Sequence, residues 1–172
     1  MGPETTVPID TVKSYLLSSL AFRFGSAEGD TFARAFPHDW VLWEPGAWKA
    51  PASTTHLLSG TATPTPSKAG EALALALEPR ADGAPLKLGR GAECDAIIND
   101  GTLSQVHLVF MRGTDGVWTV RDANSRNGSK LDAVKLEPGK PAALSNGARL
   151  VAAQVAFTFY NSTGMLARLK GL

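Results

Sequence analysis

The sequence predicts a mainly β protein, a sandwich of antiparallel sheets with a small helical extension before it and a short helix after it. Asp-Gly or Asn-Gly pairs, strong turn signals, fall at 82–83, 100–101, 115–116, 127–128 and 146–147, and none occurs before residue 80. Between these pairs the apolar residues alternate, and turns every 12 to 19 residues are the spacing of a sandwich. Upstream, the stretch from Thr61 to Gly70 carries Pro64 and Pro66 among small polar residues and reads as a linker. The chain therefore divides into an N-terminal helical and Trp-rich extension with its linker, residues 1–66, and a β-domain, residues 67–172.

Taken in order, Val12, Leu16, Leu17, Leu20 and Phe24 recur at three- and four-residue steps, which predicts one amphipathic helix from Asp10 to Phe24, capped by Asp10 and ended by Gly25. Asp30 can cap a second, short helix that stops before Pro37. Trp40 to Trp43, a Glu-Pro-Gly turn at 44–46, and Trp48 predict a compact aromatic patch. Such a patch either covers a face of the β-domain or offers a surface for a partner or for self-association. Strands are expected at Leu73–Leu77, Leu86–Leu88, Ile97–Ile98, Val106–Phe110, Trp118–Val120, around Leu150, and at Val155–Phe159. From Ser162 onward a short helix places Met165, Leu166 and Leu169 on one face.

Charge and cysteine content narrow the function. The 172 residues are 44% apolar and carry 17 basic against 16 acidic side chains, a net of +1, which argues against a protein built to coat nucleic acid or an anionic membrane. Residues 1–66 hold 4 basic and 6 acidic groups, a net of −2, leaving 13 and 10, or +3, for residues 67–172. One cysteine, Cys94, rules out an internal disulfide or a multi-thiolate metal site within one chain and suits a reducing compartment, so a cytoplasmic protein is expected. No stretch reaches the roughly 20 apolar residues needed to cross a bilayer.

The polar residues that remain form an ordered set. Arg90 stands between Gly89 and Gly91 after a strand, Ser104 and His107 are three apart, and Ser125, Arg126, Asn127 and Gly128 make an Asn-Gly turn. An all-β domain can gather these at one rim, and such a rim can hold a phosphate. Arg90 supplies a fixed cation able to bind two phosphate oxygens, Gly89 and Gly91 let the backbone turn sharply beside it, Ser104 offers a hydroxyl, and Gln105 an amide.

Gly-Arg, then Ser-x-x-His, then Ser-x-Asn-Gly, followed by a Leu-Ser-Asn-Gly turn and a closing aromatic strand, resembles the forkhead-associated (FHA) domain, a phosphothreonine-binding β-sandwich. The resemblance runs from about Glu71 to Tyr160. It implies that Arg90, Ser104 and Gln105 take the phosphate and that Asn127 holds the main chain of the bound peptide. His107 is implied to lie buried beneath the site, bracing the loops that carry the serine and the arginine, with Gly89, Arg126 and Gly128 in support. Two positions depart from the pattern: Gln105 stands where many members have arginine, and Ser129 where threonine is frequent. Peptide selectivity is expected from the loops at 99–103, 112–115 and 130–133, with Arg112 and Lys130 favouring an acidic residue three positions after the phosphothreonine.

The implied partner is a phosphothreonine-containing protein or a Ser/Thr kinase, with no catalysis, cofactor or metal. The alternative is a phospho-independent scaffold that uses the same fold and the tryptophan patch. Glu4, Thr5, Thr6 and Val7 are similar to the acidic, double-threonine tail of certain bacterial FHA regulators, which implies that phosphorylated Thr6, with Ile9 after it, could occupy the Arg90 site, with Thr61, Thr63 and Thr65 as competing acceptors.

Other chemistries fit poorly. Ser104 and His107 are expected on one strand, facing opposite ways, and no Gly-x-Ser-x-Gly elbow surrounds the serine. Cys94 occupies the third glycine position of a dinucleotide loop, and its expected role is a small buried filler. His38, His56 and His107 lack metal-ligand spacing.

Overall fold

Alternation along β3 (Leu73–Leu77) builds two cores at once. Leu73, Leu75 and Leu77 enter the core between two sheets, while Ala74 and Ala76 face a second apolar cluster where small side chains let helices approach. This is seen in a computed structural model, which describes residues 12–28, 30–43 and 72–171. The remaining strands, in chain order, are β1 (Ser14–Leu16), β2 (Asp39–Trp43), β4 (Leu86–Gly89), β5 (Ala96–Ile97), β6 (Leu108–Arg112) and β7 (Trp118–Asp122). There follow β8 (Ser129–Leu131), β9 (Val134–Lys135), β10 (Ala142–Ala143), β11 (Arg149–Ala152) and β12 (Val155–Tyr160). The helices are α1 (Leu17–Phe24), α2 (Thr31–Ala35) and α3 (Ser162–Lys170).

Seven strands in the order β1-β3-β2-β12-β11-β8-β9 form one sheet, and five in the order β10-β7-β6-β4-β5 form the other. The β-sandwich is as the sequence predicts, except that β5 runs parallel to β4. The main core, with Val41, Trp43, Leu88, Phe110, Trp118, Leu150 and Phe157, lies between the sheets. A second cluster joins Leu17, Leu20, Phe24, Phe32, Met165 and Leu169 of the helices to Trp40, Leu42, Ala74 and Ala76.

Two expectations for the N-terminal residues need correction. The helix begins at Leu17, because Ser14–Leu16 instead pairs antiparallel with β3. That edge offered backbone partners, and a strand there satisfies them while Val12 and Leu16 pack on the main core. Asp10, the expected cap, lies outside the described residues. Of the tryptophans expected to form the patch, the two described ones offer no contact surface: Trp40 and Trp43 lie on β2, a strand held between β3 and β12, and are 0% and 3% exposed. Trp40 faces the helices, with its ring 5.8 Å from that of Phe32, and Trp43 faces the main core. Trp48, the turn at 44–46, His56, the linker, Thr5, Thr6, Ile9 and the boundary expected at 66/67 lie outside the described residues.

α3 matches its expectation: Asn161 caps it by accepting from the amide of Gly164 at 2.8 Å, and Met165 and Leu169 are buried. Among the described residues no helix is long and apolar enough to cross a membrane. Register then gathers one end of the small sheet. Leu108 pairs with both Leu88 and Asp122, so the end of β4, the start of β6 and the end of β7 meet there.

Candidate functional site

Arg90, Ser104, His107 and Asn127 all sit in the loops at this end. Ser104 and His107 are not on a strand: the connection from Ile98 to His107 is a loop, folded back over β4. The amides of Arg90 and Gly91 donate to the carbonyls of Ser104 and Gln105 at 3.1 and 2.9 Å. Gly89 and Gly91 permit that approach, since a Cβ on either would collide with the Gln105 carbonyl. The glycines are thus required by a close backbone crossing and not by a sharp turn; neither has a positive φ. Cys94 fills the space beneath, buried, with its Sγ 3.0 Å from the Gln105 carbonyl, and burial pushes its thiol up to about 11.

His107 is 0% exposed and is the pin of the site. Its Nδ1 accepts from the amide of Ser104 at 3.1 Å, so the proton sits on Nε2, which donates to the carbonyl of Gly128 at 3.0 Å. The ring braces the serine loop and the Asn127–Gly128 turn; the arginine is tied in by backbone instead. Both ring nitrogens are committed to backbone groups, so His107 is not placed to act as a base for Ser104.

Asp122, 1% exposed, organises the turn before Asn127. It accepts from the amide of Ser125 at 2.8 Å and from the hydroxyls of Ser125 and Ser129 at 2.5 Å each. Burial would raise its pKa, but the Ser125 and Ser129 hydrogen bonds win and hold it below the ordinary carboxylate value of 3.8. Asp100, also buried, accepts from the amide and hydroxyl of Thr102 at 2.8 and 2.5 Å. Thr102 in turn presents its carbonyl to Asn127 Nδ2 at 2.7 Å, leaving Asn127 Oδ1 as an outward acceptor.

These supports frame a cavity of about 360 Å³ lined by Arg90, Thr102, Ser104, Gln105, Arg126 and Asn127, together with neighbours that include Asn124. Arg90 is exposed and oriented by one bond, Nε to the Leu103 carbonyl at 2.7 Å, leaving its terminal nitrogens for a ligand. Ser104 Oγ accepts from the amide of Arg126 at 2.9 Å, so its proton is available to an anion. A second cleft of about 360 Å³, near Lys13 and Arg80, differs in kind: Arg80 is already paired with Asp82 and Asp95.

Two predicted selectivity residues fare differently. Arg112 ends β6 at the far side of the sheet, roughly 14 Å along the strand from Leu108, and lines a separate cleft with His38, Asp39 and Ser162. The loop 112–115 goes with it. Lys130 stays close, lining a cleft of about 150 Å³ with Asn127, Gly128 and Lys135. Sequence reasoning named the loop 99–103 for selectivity but missed the bracing roles of Asp100 and Thr102, and it missed Asp122 and Asn124; Asp-x-Thr and Asp-x-x-Ser, spacings at which a carboxylate accepts from a later amide, were the legible signal for the first three. Among the described residues no group of His, Cys, Asp and Glu could hold a metal ion.

Residues 86–152, from β4 through β11, match the family model "FHA domain". An FHA domain of an Arabidopsis thaliana hypothetical protein is 20% identical over 72% of this chain and 86% of its own, with a TM-score of 0.50. The FHA domain of the Chlamydia trachomatis protein CT664 is 18% identical over 72% and 97%, with a TM-score of 0.49. The N-terminal FHA domain of S. cerevisiae Rad53p, solved with a phosphothreonine peptide, is 23% identical over 49% and 73%, with a TM-score of 0.43. No curated protein matches the sequence.

Proposed function

We propose that this chain, whose residues 86–152 match the FHA domain family model, is a non-catalytic phosphothreonine-peptide binding module acting in Ser/Thr kinase signalling. Its partner is a phosphothreonine-containing protein, a substrate or an autophosphorylated loop of such a kinase, and its setting is the cytoplasm. Binding is reversible docking: Arg90, Ser104 and Gln105 take the phosphate, and Asn127 aligns the peptide backbone through its outward Oδ1, which accepts from a peptide amide.

One observation carries the reading. Arg90, the Ser104 hydroxyl and Asn127 line one open cavity, and each is oriented by a bond that leaves ligand-binding capacity unused. A phosphate there meets a charged fork and neutral donors already in position, so little ordering is needed on binding. The scaffold alternative draws less support, since Trp40 and Trp43, two of the three tryptophans of its patch, are buried.

The test is a fluorescence titration of phosphothreonine, phosphoserine and unphosphorylated versions of a degenerate peptide against wild type and Arg90→Ala. Phosphothreonine-selective binding that disappears in the variant supports the module. Folded wild type that binds none of the three at low salt rejects it.

A further inference from the structure

The cavity holds a second arginine that the phosphate reading does not use. Arg126 lines it from the turn after β7, as Arg90 does from the end of β4, and among the described residues no aspartate or glutamate lines it with them. Neither guanidinium has an ion-pair partner among the described residues, although acidic and basic groups pair elsewhere, as in Arg80 with Asp95 and Lys140 with Glu137.

The backbone of Arg126 is fixed beside the phosphate donors. Its amide donates to Ser104 Oγ at 2.9 Å, and the next residue is tied to the Thr102 carbonyl through Asn127 Nδ2 at 2.7 Å. The side chain therefore starts from a set point next to the hydroxyl that would meet the anion. The residue following Ser104 cannot supply a second charge, because it is Gln105. Its carbonyl is held by the Gly91 amide and the Cys94 thiol, and its side-chain oxygen lies against Gly91. Two unpaired cations sharing an acid-free cavity repel each other until an anion enters, and a phosphate with close to two negative charges balances both.

We propose that Arg126 is a second phosphate-binding residue, and that with Arg90 it selects the doubly ionised phosphate. This rests on the phosphothreonine reading above. Phosphothreonine passes from one charge toward two around pH 6, while guanidinium charge does not change in that range. Affinity should therefore rise with pH across that interval, and part of the rise should belong to Arg126.

The experiment measures anisotropy of a fluorescein-labelled degenerate phosphothreonine peptide with the full chain, as wild type, Arg126→Gln, Arg126→Gln with Gln105→Arg, and Arg90→Ala. Each is titrated from about pH 5 to 7.5 and from about 50 to 300 mM salt. We expect Arg126→Gln to weaken binding by about tenfold, with a shallower salt dependence and a smaller rise with pH. Adding Gln105→Arg should return most of all three, which a purely structural role of Arg126 would not allow.

Arg126→Gln with wild-type affinity and salt dependence, beside an Arg90→Ala that no longer binds, overturns the proposal and leaves the module intact. So does weakening without change in the salt and pH profiles. Wild type that binds no phosphopeptide overturns the module and this proposal together.

Discussion

The Nε2 of His107 and the carbonyl of Gly128, 21 residues apart in sequence, meet at 3.0 Å around a ring that is 0% exposed. That contact, with the one from Ser104 to Nδ1, joins two loops that contribute to the cavity. His107→Ala would leave two half-buried backbone groups without their partner and open a void where the buried ring stood. It should cost about 3 kcal/mol of stability. Urea unfolding measures the first effect, and peptide titration should show weaker binding even at temperatures where the variant is folded.

The glycines separate crowding from mere location. Gly89→Ala forces a Cβ into the Gln105 carbonyl and should destabilise the chain by about 2 kcal/mol or more while displacing Ser104. Gly101 also lines the cavity, but it has no positive φ and nothing within 4 Å of an added Cβ. Gly101→Ala should stay within about 0.5 kcal/mol of wild type. Equal losses for the two in a denaturant series would contradict the crossing described at Gly89.

Two carboxylates should move stability in opposite directions with pH. Asp122 is held below 3.8 in the folded state, so its contribution is complete above that value and disappears as pH falls through the lower folded one. Asp39 is raised above 3.8, chiefly by burial and in part opposed by Arg112, so ionising it at neutral pH works against folding. Melting curves of Asp122→Asn should lie below wild type at pH 7 and those of Asp39→Asn above it, with both gaps closing as the solution becomes strongly acid.

Removing residues 1–66 tests how far the N-terminal part belongs to the sandwich. Such a chain lacks β1 and β2, so β3 loses both neighbours and β12 loses one of its two. Loss of a cooperative melt and association through the bared edges are expected, as read by circular dichroism and gel filtration. A monomeric, cooperatively melting 67–172 would show that the remaining strands suffice.

The legible features were those set by local chemistry. Asp-Gly and Asn-Gly pairs placed turns because glycine tolerates left-handed backbone, and Gly83, Gly116, Gly128 and Gly147 all have positive φ. Leu-Ala alternation gave β3 its two faces. Tertiary choices were not legible: Ser14–Leu16 satisfies a helical period as well as a strand's, and only the open edge of β3 decides between them. Trp40–Trp43 reads as an apolar run whose burial on both faces depends on helices elsewhere in the chain. At the rim, the order of motifs named Arg90, Ser104 and Asn127. The same reading placed Arg112 nearby because sequence distance does not say which end of β6 a residue occupies.

Cys94 gives the rim a built-in clock. Burial pushes its thiol up to about 11 and its sulfur lies against the Gln105 carbonyl, so slow alkylation at neutral pH is expected while the loop is seated. The expected outcome is that an alkylating reagent reacts chiefly when the 98–107 loop lifts from β4, so that the labelling rate reports such openings. An occupied cavity would hold that loop down and slow the labelling. Ligand residence thereby becomes readable from one native cysteine, with no dye on either molecule.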